Sequence, residues 1–211
     1  MKLIENPMTS CDLMSIISLS QISAIQADDS IDITQKQIIV PKILLAAGVF
    51  GRVACEFHKR EFVVDDVGYP IKLSLSMATI GEPDSRDGAY VYITRNQEGF
   101  NKMPKPDSRI ENVICIYGNF DIENPCVEFY YGELLMCTVS FIATDNQVVH
   151  RMTMCDTDDL KDEFMKQSYQ LIQESVPEAI ATFSEIFMDG YKEGYEKAAN
   201  EMNNNDTEGE E

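Results

Sequence analysis

The spacing of apolar positions changes twice along the chain and divides it into three. In IIVPKILLAAGVFGRVACEF, Ile38 to Phe57, the residues Ile43, Ala46, Ala47, Phe50, Val53, Ala54 and Phe57 recur at helical spacing. Leu44, Leu45 and Val49 widen the apolar surface beyond that stripe. Pro41 fits the first turn of such a helix, where its missing N–H needs no partner. Gly48 and Gly51 each cost about 1 kcal/mol against Ala, tolerable if another backbone packs closely against them. A helix apolar on most sides has to be enclosed, by its own domain or by neighbouring subunits. Upstream, SCDLMSIISLSQISAIQ reads as a short helix capped by Ser10 or as a strand, with the helix preferred. ADDSIDIT is a loop, with Thr34 as a cap for the next turn.

From Phe62 the period shortens to two. IKLSLSM puts Ile71, Leu73, Leu75 and Met77 on one face and Lys72, Ser74 and Ser76 on the other, a strand with one wet side. AYVYITR, NVICIYGNF, CVEFYYGELLMCTVSFIA and VVHRMTM continue the series, with TDNQ as a hairpin connection. Strands joined by turns without intervening helices imply an antiparallel arrangement.

After Cys155 the helical period returns. Asp156 or Thr157 is the expected cap, with acidic residues in the first turn as the helix dipole favours. Leu160, Phe164, Leu171, Ile172 and Ser175 share a stripe, and Pro177 either starts a second helix or kinks the first. Ile180, Phe183, Phe187, Tyr191 and Tyr195 then run at spacings of three and four, a stripe that suits core packing better than a cofactor. The polar end, NEMNNNDTEGEE, has nothing to bury and is expected to be disordered when alone.

The expected class is therefore α+β. A helical N-terminal segment (1–60) precedes an antiparallel sheet or sandwich of six to seven strands (61–155). C-terminal helices (156–200) and an acidic tail (201–211) follow.

Charge sharpens this division. Residues 1–60 carry no net charge, 61–155 carry −7 and 156–211 carry −12, which together make the −19 of the whole chain. So acidic a chain repels a nucleic-acid backbone except at a local basic patch. The densest cluster is His58, Lys59 and Arg60, with Lys102, Lys105 and Arg109 in a loop, and neither forms a stripe. Direct nucleic-acid binding is not expected. Lys42, Arg52 and Glu56 interrupt the apolar stretch and argue against a membrane span. Gly48 and Gly51 fit neither a phosphate loop nor a dinucleotide turn. The first residues lack the features of a signal peptide.

Six cysteines without a C-x-x-C, beside only two histidines, predict reduced thiols in a cytosolic setting and no metal site. Cys115, Cys126 and Cys137 are evenly spaced, as successive strands of similar length would place them.

Candidates for catalysis are sparse. His58 reads as a solvated helix end, and His150 as the wet side of a strand, with Cys155 a conceivable partner across a bend. Asp65 with Asp66 forms one carboxylate cluster, and EPDSRDG forms another whose Asp84, Asp87 and Gly88 only loosely suggest a calcium loop. Glu128 and Glu133 could pair if strands crossed. Pro83–Asp84 and Pro106–Asp107 lack the D/E-x-K that a nuclease would need. No catalytic residue, cofactor or metal is assigned.

The expectation is a non-enzymatic subunit of a protein assembly such as a ring, connector or shell, with the virus particle as one setting and the cytoplasm as the other. Its partners would be other protein subunits, in a homo- or hetero-oligomer. The residues that would serve contact are Ile43, Ala47, Phe50, Val53 and Phe57 on the first helix and Phe183, Phe187, Tyr191 and Tyr195 on the last. One alternative is an acidic module that mimics nucleic acid or shields a basic partner. It would present Glu174, Glu178, Glu185, Asp189, Glu193 and Glu196 at one-turn intervals. The other is a metal-dependent hydrolase or nuclease with an unrecognised site.

Overall fold

A computed structural model describes residues 22–23, 25–63, 70–72, 74–80, 88–94, 114–144 and 147–207. At 63, 70–72, 74–80, 89, 92, 94, 147 and 186–207 it describes the backbone path only. The architecture is α+β, helices packed on an antiparallel sheet.

Helix α1, Ile33–Lys59, starts well before Pro41. The Asp32 carboxylate accepts the Gln35 N–H at 2.9 Å, and the Gln35 side chain accepts the Asp32 N–H at 3.3 Å. This reciprocal capping box satisfies two amides that the helix leaves without partners. The cap is thus Asp32 and not Thr34, which lies inside the first turn. Pro41 is consequently an interior proline and not a first-turn one. Its ring removes the donor for the Gln37 carbonyl, a loss that water can make good because Gln37 is only partly buried. Arg60 ends the helix in extended backbone, its N–H on the Glu56 carbonyl at 3.0 Å. His58 and Lys59 lie in the last turn, where cations complement the dipole.

Strands β1 (Glu61–Val63) and β2 (Pro70–Lys72) pair with each other. β3 (Ser74–Ile80), β4 (Ala89–Thr94), β5 (Ile114–Asn119), β6 (Cys126–Tyr131), β7 (Leu134–Thr144) and β8 (Gln147–Met154) form one antiparallel meander in chain order. The stretch expected to run from Ile71 to Met77 as one strand is divided between β2 and β3, which belong to different sheets. CVEFYYGELLMCTVSFIA folds back on itself at a two-residue connection, Gly132–Glu133, where Gly132 has φ 56°. A positive φ at the first connecting residue matches the hand of primed hairpin turns. Residues 145–146, inside the predicted TDNQ connection, lie outside the described residues, and Thr144 pairs with Gln147 across it. The backbone at 22–23 and 25–27 is helical, as preferred for that part of the chain; 1–21 lie outside the described residues.

Asp156 caps only a short 3-10 turn, Thr157–Asp159. The last helix, α2, runs as one element over Glu163–Thr207 with Pro177 inside it. Its first turn is closed by the Asp162 carboxylate, which accepts the Met165 N–H at 2.8 Å. The helix therefore continues through most of the segment expected to be a disordered tail; 208–211 lie outside the described residues.

One face of the sheet carries the core. Val91, Ile93, Ile114, Ile116, Val127, Phe129, Val139 and Phe141 meet Ile43, Ala46, Ala47, Phe50, Val53 and Phe57 of α1. Phe50 meets Phe120 edge to face with centroids 5.8 Å apart, and Phe62 joins Phe57 to Phe164 of α2 through ring contacts of 6.1 and 5.1 Å. A methyl group on Gly118 would strike Phe120 and Phe50, so this strand position is kept bare by the packing. α2 runs antiparallel to α1, because Arg60, Arg52 and Gly48 meet Glu174, Glu178 and Phe183 in that order. By length and composition α1 could cross a membrane, yet 72% of its most apolar window is enclosed by this chain.

Candidate functional site

The residues proposed for contact fall into two groups. Ile43, Ala47, Phe50, Val53 and Phe57 are completely buried within their own chain, so they build the core and present no surface. Phe183 packs over Gly48 at the edge of that core. Phe187, Tyr191 and Tyr195 belong to α2 by backbone, and their side chains lie outside the described residues.

The buried Lys42 is a feature that the apolar pattern did not single out. It is only 7% exposed, and its ammonium donates to the Glu123 carbonyl at 2.9 Å and the Ile122 carbonyl at 3.4 Å. It ties the β5–β6 loop to α1 without a carboxylate in either bond. Desolvation lowers its pKa. Ser168 is fully buried on α2, and its hydroxyl makes no hydrogen bond.

The structure keeps the catalytic candidates apart. His150 is exposed and pairs with Phe141, which puts it on the helix side of β8 at the sheet margin, not on the outer face. Cys155 follows the end of β8, about 16 Å further along at strand rise. Burial, then the neighbouring acids Asp159 and Asp156, push the Cys155 thiol up, opposite to what a nucleophile needs. Burial and the nearby Cys155 push the Cys137 thiol up to about 12. Glu128 accepts the Tyr130 hydroxyl on β6, whereas Glu133 sits in the exposed hairpin turn beyond Tyr131, which is itself about 10 Å along the strand from Glu128. Asp65, Asp66, Asp84 and Asp87 lie outside the described residues. Among the described residues no group of three His, Cys, Asp or Glu side chains could hold a metal ion.

The charge clusters are partly spent within the chain. Lys59 pairs with Glu56 at 3.2 Å and Arg60 with Glu174 at 3.1 Å, so two of the three basic residues at the end of α1 have acidic neighbours. Arg52 bridges Glu56 at 3.1 Å and Glu178 at 3.5 Å. Glu174 and Glu178, two of the carboxylates that a nucleic-acid mimic would present, are thus engaged by α1. Gln170 and then Arg60 hold the Glu174 carboxyl below its usual range.

Among the described residues, the corner made by β7 and β8 joins an unpaired strand edge to exposed apolar side chains. β8 ends the sheet order, and among the described residues no strand pairs with its far side. Its register on β7 is continuous from Cys137–Met154 to Thr144–Gln147, with no bulge. The Cys155 N–H bonds to the Met136 carbonyl at 2.9 Å. Hydrogen-bonded pairs alternate along an antiparallel ladder, so odd-numbered residues of β8 bond to β7. The amides and carbonyls of Val148, His150, Met152 and Met154 point away from it. On the outer face Ile142 and Val149 stand opposite each other, 44% and 40% exposed, with Arg151 and Thr153 beside them. Residues 134–154 contain one acid, Asp145, and one base, Arg151, and so are neutral in a chain of net charge −19. The neutrality and the Val-rich start of β8 are legible in the sequence. Its position at the margin is not, because that depends on what does not pair beside it.

Compared with known proteins, the chain matches no family model, no curated sequence and no solved structure.

Proposed function

We propose that the protein is a non-enzymatic interaction subunit that works by fitting against other protein chains, and that β8 with its outer face is the contact. The observation that carries this reading is the β8 edge, unbulged and, among the described residues, without a strand on its far side, beside the exposed Ile142–Val149 pair. Natural sheets usually blunt such an edge with lysine, proline, a bulge or a covering loop. β8 contains no lysine and no proline. The raised pKa of Cys137 and Cys155 and the separation of His150 from Cys155 also favour binding over nucleophilic chemistry. Other protein subunits are the natural partners. An assembly such as a ring or shell, in the cytoplasm or a virus particle, is the setting in which an exposed strand edge is most useful.

The test is the state of the protein in solution. Light scattering from low micromolar to near-millimolar protein, alone and with fractionated extract from its source, should give masses above the 23.9 kDa of one chain. A monomer under every condition, with no complex formed, would sink this reading.

A further inference from the structure

We infer that the occupant of the β8 edge is β8 of a second copy of this chain, paired antiparallel about a two-fold axis at Met152. This rests on the proposed role as an interaction subunit and specifies its first step.

Charge selects the occupant and the place. Two copies of a chain of net charge −19 repel each other over most of their surface. The β7–β8 hairpin is neutral, so two copies can approach there without the like-charge repulsion of the acidic segments. A two-fold contact also needs a surface complementary to itself, and two antiparallel strand edges meet that condition through backbone alone.

Geometry and charge then select the register. The outward groups belong to Val148, His150, Met152 and Met154, so the axis has to bring even-numbered residues opposite one another. Centring all four would place Arg151 against the partner's Arg151, and like charges directly opposite are unfavourable. Centring on His150 would set two polar imidazoles directly against each other. Centring on Met152 avoids both. Met152 then faces its own counterpart, His150 faces Met154, and Arg151 faces Thr153. Three pairs give about six backbone hydrogen bonds. The two sheets become one, and the exposed Ile142–Val149 pairs flank the new seam on its outer side.

The pairing is tested on the full chain by mass and by amide exchange. Light scattering should show a dimer whose population rises with concentration. In residue-resolved hydrogen exchange, the amides of His150, Met152 and Met154 should slow markedly as concentration rises, while those of Val149, Arg151 and Thr153 are slow throughout. His150→Pro removes an N–H that the monomer does not use, a change edge strands tolerate. It should return the chain to monomer with its circular dichroism intact. A folded His150→Pro that remains dimeric overturns the proposal, because the interface would lie elsewhere. If that variant fails to fold, exchange in the native chain decides, and fast even-numbered amides at all concentrations overturn it. Even-numbered amides that slow only when a different protein is added also overturn it. A native monomer that still enters a larger complex sinks the self-pairing and leaves the interaction role standing. A β8 dimer that joins nothing else does the reverse for the larger assembly.

Discussion

Gly48 of α1 lies directly under the ring of Phe183 on α2. A β-carbon built at Gly48 would sit 2.5 Å from Phe183 Cδ2 and 2.7 Å from Cγ. These atoms are near the root of the ring, so a small swing of its far end cannot relieve the clash.

Gly48→Ala is therefore expected to destabilise the fold, although alanine in a helix interior ordinarily gains about 1 kcal/mol over glycine. Overpacking costs of about 1–3 kcal/mol outweigh that gain. Thermal or denaturant unfolding should give a lower midpoint for Gly48→Ala. Adding Phe183→Ala should leave the pair less than additive, because the second change removes the obstruction that the first one meets. A more stable Gly48→Ala single variant would mean that the helices do not meet at this point.

Lys42 carries the second prediction. Desolvation holds its folded pKa below the ordinary lysine value of 10.5. Between the folded and unfolded values the unfolded chain binds more protons, so stability contributed by this group rises with pH. Below that window the charged form carries a burial penalty. Lys42→Met should therefore unfold no earlier than the native chain near pH 7, and its relative advantage should shrink as pH approaches the unfolded pKa. The Ile122 and Glu123 carbonyls released by the change lie in an exposed loop and can take water. Lys42→Glu, which would aim a carboxylate at two carbonyls, should be far more damaging. Unfolding curves for the three chains at neutral and alkaline pH check the ordering.

The helical stripe from Ile43 to Phe57 was legible because its spacing matches burial against one sheet and one helix. The antiparallel order was legible because alternating segments follow one another with no room for crossover helices. Three features were not, for reasons that lie beyond local pattern. Pro41 suggested a helix start, but the chain gains more from the Asp32–Gln35 capping box and keeps helical backbone from Ile33 on. Pro177 suggested a break, but Val176, Ala179 and Ile180 are buried on both sides of it, and their packing holds α2 continuous. The even residues of β8 became a candidate contact only once the Cys155–Met136 hydrogen bond fixed which way their amides point.

Cys137 makes alkaline pH a probe of the core. Its thiol, 1% exposed, is pushed up from 9.0 to about 12 by burial first and by Cys155 second. A raised acid pKa in the fold contributes stability that is complete below the unfolded value and is lost as pH climbs toward the folded one. Stability should thus fall across pH 9 to about 12, and Cys137→Ala should flatten that part of the profile while lowering stability at neutral pH. Iodoacetamide at pH 8 should leave Cys137 unmodified in the folded chain and alkylate it in denaturant, as mass spectrometry of peptides would show. Rapid labelling of the folded protein would contradict the placement of this side chain.

The start of α1 offers the cleanest local test. The Asp32 carboxylate accepts the Gln35 N–H at 2.9 Å, whereas Thr34, inside the first turn, is exposed. Removing a side-chain cap leaves a helix donor without its partner and costs about 1 kcal/mol. Asp32→Ala should lower stability by about that amount, and Asp32→Asn or Asp32→Ser should recover most of it, since both can still accept the bond. Thr34→Ala should change stability by less than about 0.5 kcal/mol, because the change touches only an exposed position. Denaturant titrations of the four variants decide between the caps. A larger loss at Thr34 than at Asp32 would move the start of α1 two residues on and remove the capping box.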